Sequence, residues 1–184
     1  VTLVADTPSF SYSLTSNGVY RSVPYYFTNA CVTSMWYKIS APNYEDYVHE
    51  ASVTILPRAV TLTSGSASKN FDGMALRCEK IEVAGDGFVG ADGVNAVYSG
   101  SQLWVGTGKN TFDYSFKSGT IGSNYQITKA YGDLTVTATG TVVVDDSITR
   151  IPAEAFKDCA DLTAVVLSEN VTEIGANAFA GCTK

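Results

Sequence analysis

The chain has 184 residues, 45% of them hydrophobic, and a formal net charge of −6. That composition folds rather than staying disordered, and the acidic balance argues against nucleic acid or an anionic membrane surface as partner, since both call for a basic face. No apolar run approaches the roughly 20 residues of a membrane span.

The sequence opens at Val1 without a signal-peptide pattern, so an exported protein is expected here in trimmed form. Its abrupt start and end read as a piece of something longer. Eleven Tyr, eight Phe and 16 Gly favour strands and turns. Four cysteines, Cys31, Cys78, Cys159 and Cys182, are too scattered for a disulfide scaffold and read as unpaired thiols. A single histidine, His49, with no CxxC, excludes zinc sites of the usual spacing.

Residues 1–56 read as a partial β module, short of its first strands. "PYYF", Pro24 to Phe27, and Trp36 supply aromatics that stack on sugars in some proteins but are more often core. Tyr37-Lys38 lies on an alternating strand, and His49 reads as a surface pair with Glu50. The stretch "PNYEDYVHEASVTI", Pro42 to Ile55, lines up with "SNYQITKAYGDLTV", Ser123 to Val136, at an offset of 81. Pro57 marks the junction, where a strand must end.

Residues 57–137 read as a second β module. Strands are expected in "VTLTSGSAS", "IEVAG", "NAVYSG", "TFDYSF" and "DLTVTAT". In "TFDYSF" the residues Phe112, Tyr114 and Phe116 share one face at the period of a half-buried strand. No helical period of useful length precedes residue 150. "GDGFVG", Gly85 to Gly90, spells a dinucleotide loop, but no helix pattern follows it, and it reads as a hairpin loop into the next strand. Asp86 and Asp92 lack the spacing of a calcium loop and suit turns. Glu45-Asp46 and Asp145-Asp146 are neighbours in sequence. On strands such neighbours face opposite ways and cannot share acid–base work. There is no G-x-S-x-G, and no nucleophile with a plausible base. Lys38 or Lys117 qualifies by residue type alone for a cross-link to an Asn. No catalytic residue, metal site or cofactor is expected.

From residue 138 the chain repeats. "IPAEAFKDC", Ile151 to Cys159, returns 23 residues later as "IGANAFAGC", Ile174 to Cys182. The same offset matches Val142 to Val165, Val144 to Leu167 and Ile148 to Val171. A fixed period of this size marks a repeat architecture. Leu162, Val165 and Leu167 make an L-x-x-V-x-L strand, and each turn is expected to hold such a short strand, a crossing at Ile151 or Ile174, and a short helical piece around Ala155-Phe156 or its equivalent. The expected core is Ile151, Phe156, Cys159, Leu162, Val165, Leu167, Ile174, Phe179 and Cys182, with Phe156 over Phe179 and Cys159 near Cys182. Binding, if it uses this part, falls on the exposed strand positions Thr163, Val166 and Ser168. Two copies bury little core alone, so the chain is expected to continue past Lys184 or to receive its N-terminal cap from the neighbouring module.

The period, "AF..C" and "V..IG..AF" closely resemble the BspA-like leucine-rich repeats of bacterial surface proteins, over residues 139–184. "VTLTSGSASKNFDG", "GDGFVG" and "SNYQITKAYGDLTVT", with "YKISAPNYEDY" and "ASVTI" upstream, resemble MBG or YDG-type repeats. The resemblance implies a mostly β chain: tandem immunoglobulin-like sandwiches or β-grasp modules at 1–56 and 57–137, then the start of a leucine-rich-repeat solenoid at 138–184. It implies a secreted or surface-attached, non-catalytic spacer and adhesion surface for an extracellular protein, host or matrix, or a glycan. An accessory or carbohydrate-binding region of a secreted enzyme is the alternative.

Overall fold

The computed structural model of the chain describes residues 7–184. It is mostly β, with fifteen strands and no α-helix among those residues. Two compact units separate: residues up to Arg58 with Ile121–Gln126, and Ala59–Thr120 with Ile127–Lys184. None of the sheets closes on itself.

The first unit is a three-stranded antiparallel sheet in the order β1 (Ser9–Ser13), β2 (Cys31–Ser40), β3 (Tyr47–Ile55). Its register sets Tyr12 beside Tyr37 and Tyr37 beside His49. The rings of Tyr37 and Tyr47 each lie 5.8 Å from that of His49. His49 and Glu50 are therefore not a surface pair. Strand alternation sends Glu50 to the opposite face, beside Trp36. From 7 to 58 only Ser13 is buried, because every other position in so thin a layer keeps some contact with water.

The second unit opens with β4 (Arg58–Ser64), β5 (Ala67–Asn70), β6 (Ile81–Gly85), β7 (Val94–Tyr98), β8 (Gly106–Lys109) and β9 (Phe112–Phe116). It continues with β10 (Tyr125–Ala130) and β11 (Asp133–Thr137). Their sheets are β10-β4-β6, β5-β11-β8 and β7-β9. "GDGFVG" is not a hairpin loop: β6 pairs with β4 and β7 with β9, so the loop carries the chain from one sheet to another. Asp86 anchors it, donating its N–H to the Ala59 carbonyl at 2.8 Å and accepting the Ala59 N–H at 3.0 Å. Asn110 is fully buried. Its Nδ2 donates to the Gly65 and Cys78 carbonyls at 2.9 and 2.8 Å, and its backbone carbonyl accepts from Ser64 Oγ at 2.5 Å. One side chain thus ties together segments far apart in sequence.

The repeat follows as β12 (Gly140–Val143), β13 (Arg150–Ile151), β14 (Leu162–Val166) and β15 (Glu173–Ile174). β12 pairs with β14 and β13 with β15, both in parallel. Around Ala155-Phe156 there is a run of turns, not the expected helical piece. Glu154 and Asp158 have φ of 61° and 59°, and Asn177 has 57°. Left-handed residues spaced this way stop an i to i−4 ladder. Alternate N–H groups turn to the next copy instead: Glu154 to the Ala176 carbonyl, Phe156 to Ala178 at 2.8 Å, and Asp158 to Ala180 at 2.7 Å.

One apolar core runs from the preceding strands into the repeat. Phe71 and Trp104 join Val142, Val144, Ile151, Phe156 and Leu162. The Phe71 ring meets Phe156 at 5.0 Å and near right angles, Trp104 meets it likewise at 5.8 Å, and Phe179 stacks on it at 5.3 Å and 3°. Two polar contacts fix this junction. Asn70 accepts the Thr139 N–H at 2.9 Å and donates to the Thr139 carbonyl at 3.1 Å, continuing the parallel pairing of β5 with β11. Gly73 has φ of +80°, and a Cβ there would stand 2.5 Å from that of Asp145.

Phe71→Ala empties the space against Phe156 and is expected to cost about 3 kcal/mol in urea unfolding, whereas an unchanged midpoint would contradict the shared core. Asn110→Asp keeps the shape but sets a carboxylate against two carbonyl oxygens. It is expected to cost about 3 kcal/mol by the same measurement.

Candidate functional site

In the two-stranded parallel sheet of β12 and β14, Thr141 pairs with Ala164, Val142 with Val165 and Val143 with Val166. Alternation sends Val142 inward, 1% exposed, and leaves Val143 and Val166 outward at 58% and 50%. The outward face is thus two valines side by side, one from each copy, with Thr141 and Ala164 next to them. The register slips between Gly140 and Thr141, so Gly140 pairs with Leu162 and Thr163 has no cross-strand partner. Thr163 is exposed. Ser168 is half-buried, and its hydroxyl is buried without a hydrogen-bond partner. Val166 and Thr163 therefore lie on or beside one exposed face, while Ser168 points into the fold. Val143 and Thr141 escape the sequence reading because it took outward positions from the second copy alone, although the 23-residue offset pairs Val143 with Val166.

The inward positions differ between the copies. Ile151, Phe156, Cys159 and Leu162 are buried, and Val165, Phe179 and Cys182 are half-buried. Leu167 and Ile174 are 39% and 52% exposed, so they do not form buried core. Ile174 covers Ile151 through the β13–β15 pairing, and no described residue covers Ile174 in turn. Leu162, Val165, Phe179, Cys182 and Lys184 line an open cavity of about 280 Å³ at this end.

Charge frames the valine face at both ends. Lys184 Nζ donates to Asp161 Oδ1 at 2.7 Å and holds that carboxyl below its ordinary range. At the other end stand Asp145, Asp146 and Glu169. Ser147 donates to Asp145 Oδ1 from its Oγ at 2.5 Å and from its N–H at 2.9 Å, which lowers the Asp145 carboxyl. Arg150 and Glu173, one copy apart, pair at 3.1 Å. Among the described residues no three His, Cys, Asp or Glu side chains gather as metal ligands. Of the sugar-stacking candidates, Tyr25 is covered by the Arg21 guanidinium at 4.0 Å, Tyr26 is 84% exposed, and Trp36 is half-buried beside Ser13 and Glu50. Lys38 is bonded to Asp46 at 2.9 Å.

Residues 136–184 match the family model described as a BspA type leucine rich repeat region (6 copies). The matched segment holds both copies, the outward valines and the stacked pair Phe156 and Phe179, but not Phe71 or Trp104. No curated protein and no solved structure matches the chain.

A carboxyl lowered in the folded state adds stability above its unfolded value, and that stability is lost as pH falls through the lowered one. Ser147→Ala is therefore expected to move the Asp145 titration, followed by carboxyl NMR, up towards 3.8. An unmoved midpoint would show that the two Ser147 bonds do not hold the charge.

Proposed function

We propose that this chain is a non-catalytic segment of an exported bacterial surface protein, in which the outward face of β12 and β14 binds an extracellular protein of host or matrix. In this reading residues 1–56 and 57–137 are successive small β modules, sandwich or β-grasp, that serve as a spacer. Residues 138–184 begin a leucine-rich-repeat solenoid. The observation that carries the reading is the pair of outward valines, Val143 and Val166, at equivalent places in two copies of a matched repeat. Apolar side chains held outward on a rigid sheet lose little entropy on contact, and acidic groups at the rim give register and orientation. Stacking further copies lengthens such a face without a larger core.

Binding of the 184-residue chain to a panel of immobilised extracellular-matrix proteins tests this. Val143→Asp with Val166→Asp is expected to weaken capture by about tenfold or more while leaving the thermal midpoint near that of the parent. Capture that survives both aspartates would remove the face from the account, and release of product from a matrix glycan would remove its non-catalytic part.

A further inference from the structure

Cys159 and Cys182 occupy the same place in successive copies, and backbone bonds from Phe156 to Ala178 and from Asp158 to Ala180 pin those copies together around them. Paired backbones of this kind set equivalent Cα atoms about 4.8 Å apart, inside the roughly 4.4–6.8 Å span of disulfides. The side chains converge as well. Cys182 Sγ donates to the Phe156 carbonyl at 3.1 Å, and the Cys159 N–H donates to the same oxygen at 3.3 Å. The Cys182 sulfur thus reaches back across the copy boundary to the turn that carries Cys159. Cys159 Sγ makes only a long contact, 3.7 Å, to the Lys157 carbonyl, so a rotation about its Cα–Cβ bond gives up little. Both thiols are free. Their accessibility differs: Cys159 is buried, while Cys182 lines the open cavity beside Phe179 and Leu162.

We propose that Cys159 and Cys182 form an oxidisable dithiol, with Cys182 the entry point for a low-molecular-weight disulfide and Cys159 the resolving thiol. The Cys182 thiolate attacks one sulfur of the reagent and expels a small thiolate, leaving a mixed disulfide. The Cys159 thiolate then attacks the Cys182 sulfur and expels the second small thiolate. Two cysteine thiols lose two electrons and two protons in all, and the reagent leaves as two thiols. The new bond ties one copy to the next and closes the chain segment between them. The idea does not rest on the binding face.

The test uses the full chain carrying Cys31→Ser and Cys78→Ser, exposed to oxidised glutathione, alkylated and digested. No Lys or Arg lies between Asp158 and Lys184, so trypsin leaves both cysteines in one peptide. The expected result is that this peptide is lighter by two hydrogen atoms and unalkylated. Cleavage after Glu169 or Glu173 should then yield fragments that stay joined until reduced, and the oxidised chain should melt at a higher temperature. Cys159→Ser is expected to stop at a stable glutathione adduct on Cys182, and Cys159→Ala serves the same purpose if the serine disturbs packing. A persistent adduct in the chain that keeps Cys159, a dimer linked through Cys182, or two freely alkylated thiols would each overturn the proposal.

Discussion

The edge-on meeting of Phe71 and Trp104 with Phe156 is the contact on which the second unit depends. Two copies of a 23-residue repeat have little interior of their own, because each copy can cover only its neighbour. Phe179 covers one side of Phe156. More of Phe156 would face water if the preceding strands did not place two aromatic rings against it. The hydrogen bonds of Asn70 to Thr139 and the glycine at Gly73 bring the backbones close enough for the rings to meet. The strands before the repeat thus cap it as well as carry it.

This constraint reaches the exposed valines through the backbone. The inward grip of Val142 and Leu162 in the shared core holds β12 and β14 in place, and alternation then turns Val143 and Val166 outward. The turns around Phe156 stiffen the stack further, because every other N–H of theirs, from Glu154, Phe156 and Asp158, pairs with the next copy. A face built this way is preorganised: its side chains are presented by backbone bonded between copies, not by a loop free to reshape. The same stacking brings Cys182 to the turn of Cys159.

The repeat was legible in the sequence because its residues recur in register, and a period needs no knowledge of distant partners. Alternation was legible too, as in Phe112, Tyr114 and Phe116 of β9. What the sequence hid was set by long-range geometry. Phe71 sits in "KNFDG", whose Asn, Asp and Gly spell a turn, yet the turn is what points the ring at the repeat. Trp104 lies in "SQLWVG", which has no period to announce it. The helical piece around Phe156 failed because Glu154 and Asp158 adopt left-handed backbone, a choice that becomes favourable only with a second copy alongside. The 81-residue likeness of Pro42–Ile55 to Ser123–Val136 did not carry over either. β3 runs unbroken through Ala51, whereas the aligned Gly132 lies at a turn between β10 and β11. There a Cβ would come 2.5 Å from the Ser64 carbonyl oxygen. For the outward face, the sequence placed Thr163 and Val166 rightly, but not Ser168, whose hydroxyl is buried, nor the pairing that sets Val143 beside Val166.

Native-state hydrogen exchange of the intact chain tests the shared core most directly. The amides of Leu62 and Leu134 in the earlier strands and of Val142, Phe156 and Leu162 in the repeat are expected to open together, with one free energy that falls in parallel as denaturant rises. Repeat amides that exchange through a separate, lower-energy opening, while Leu62 and Leu134 stay protected, would contradict the account.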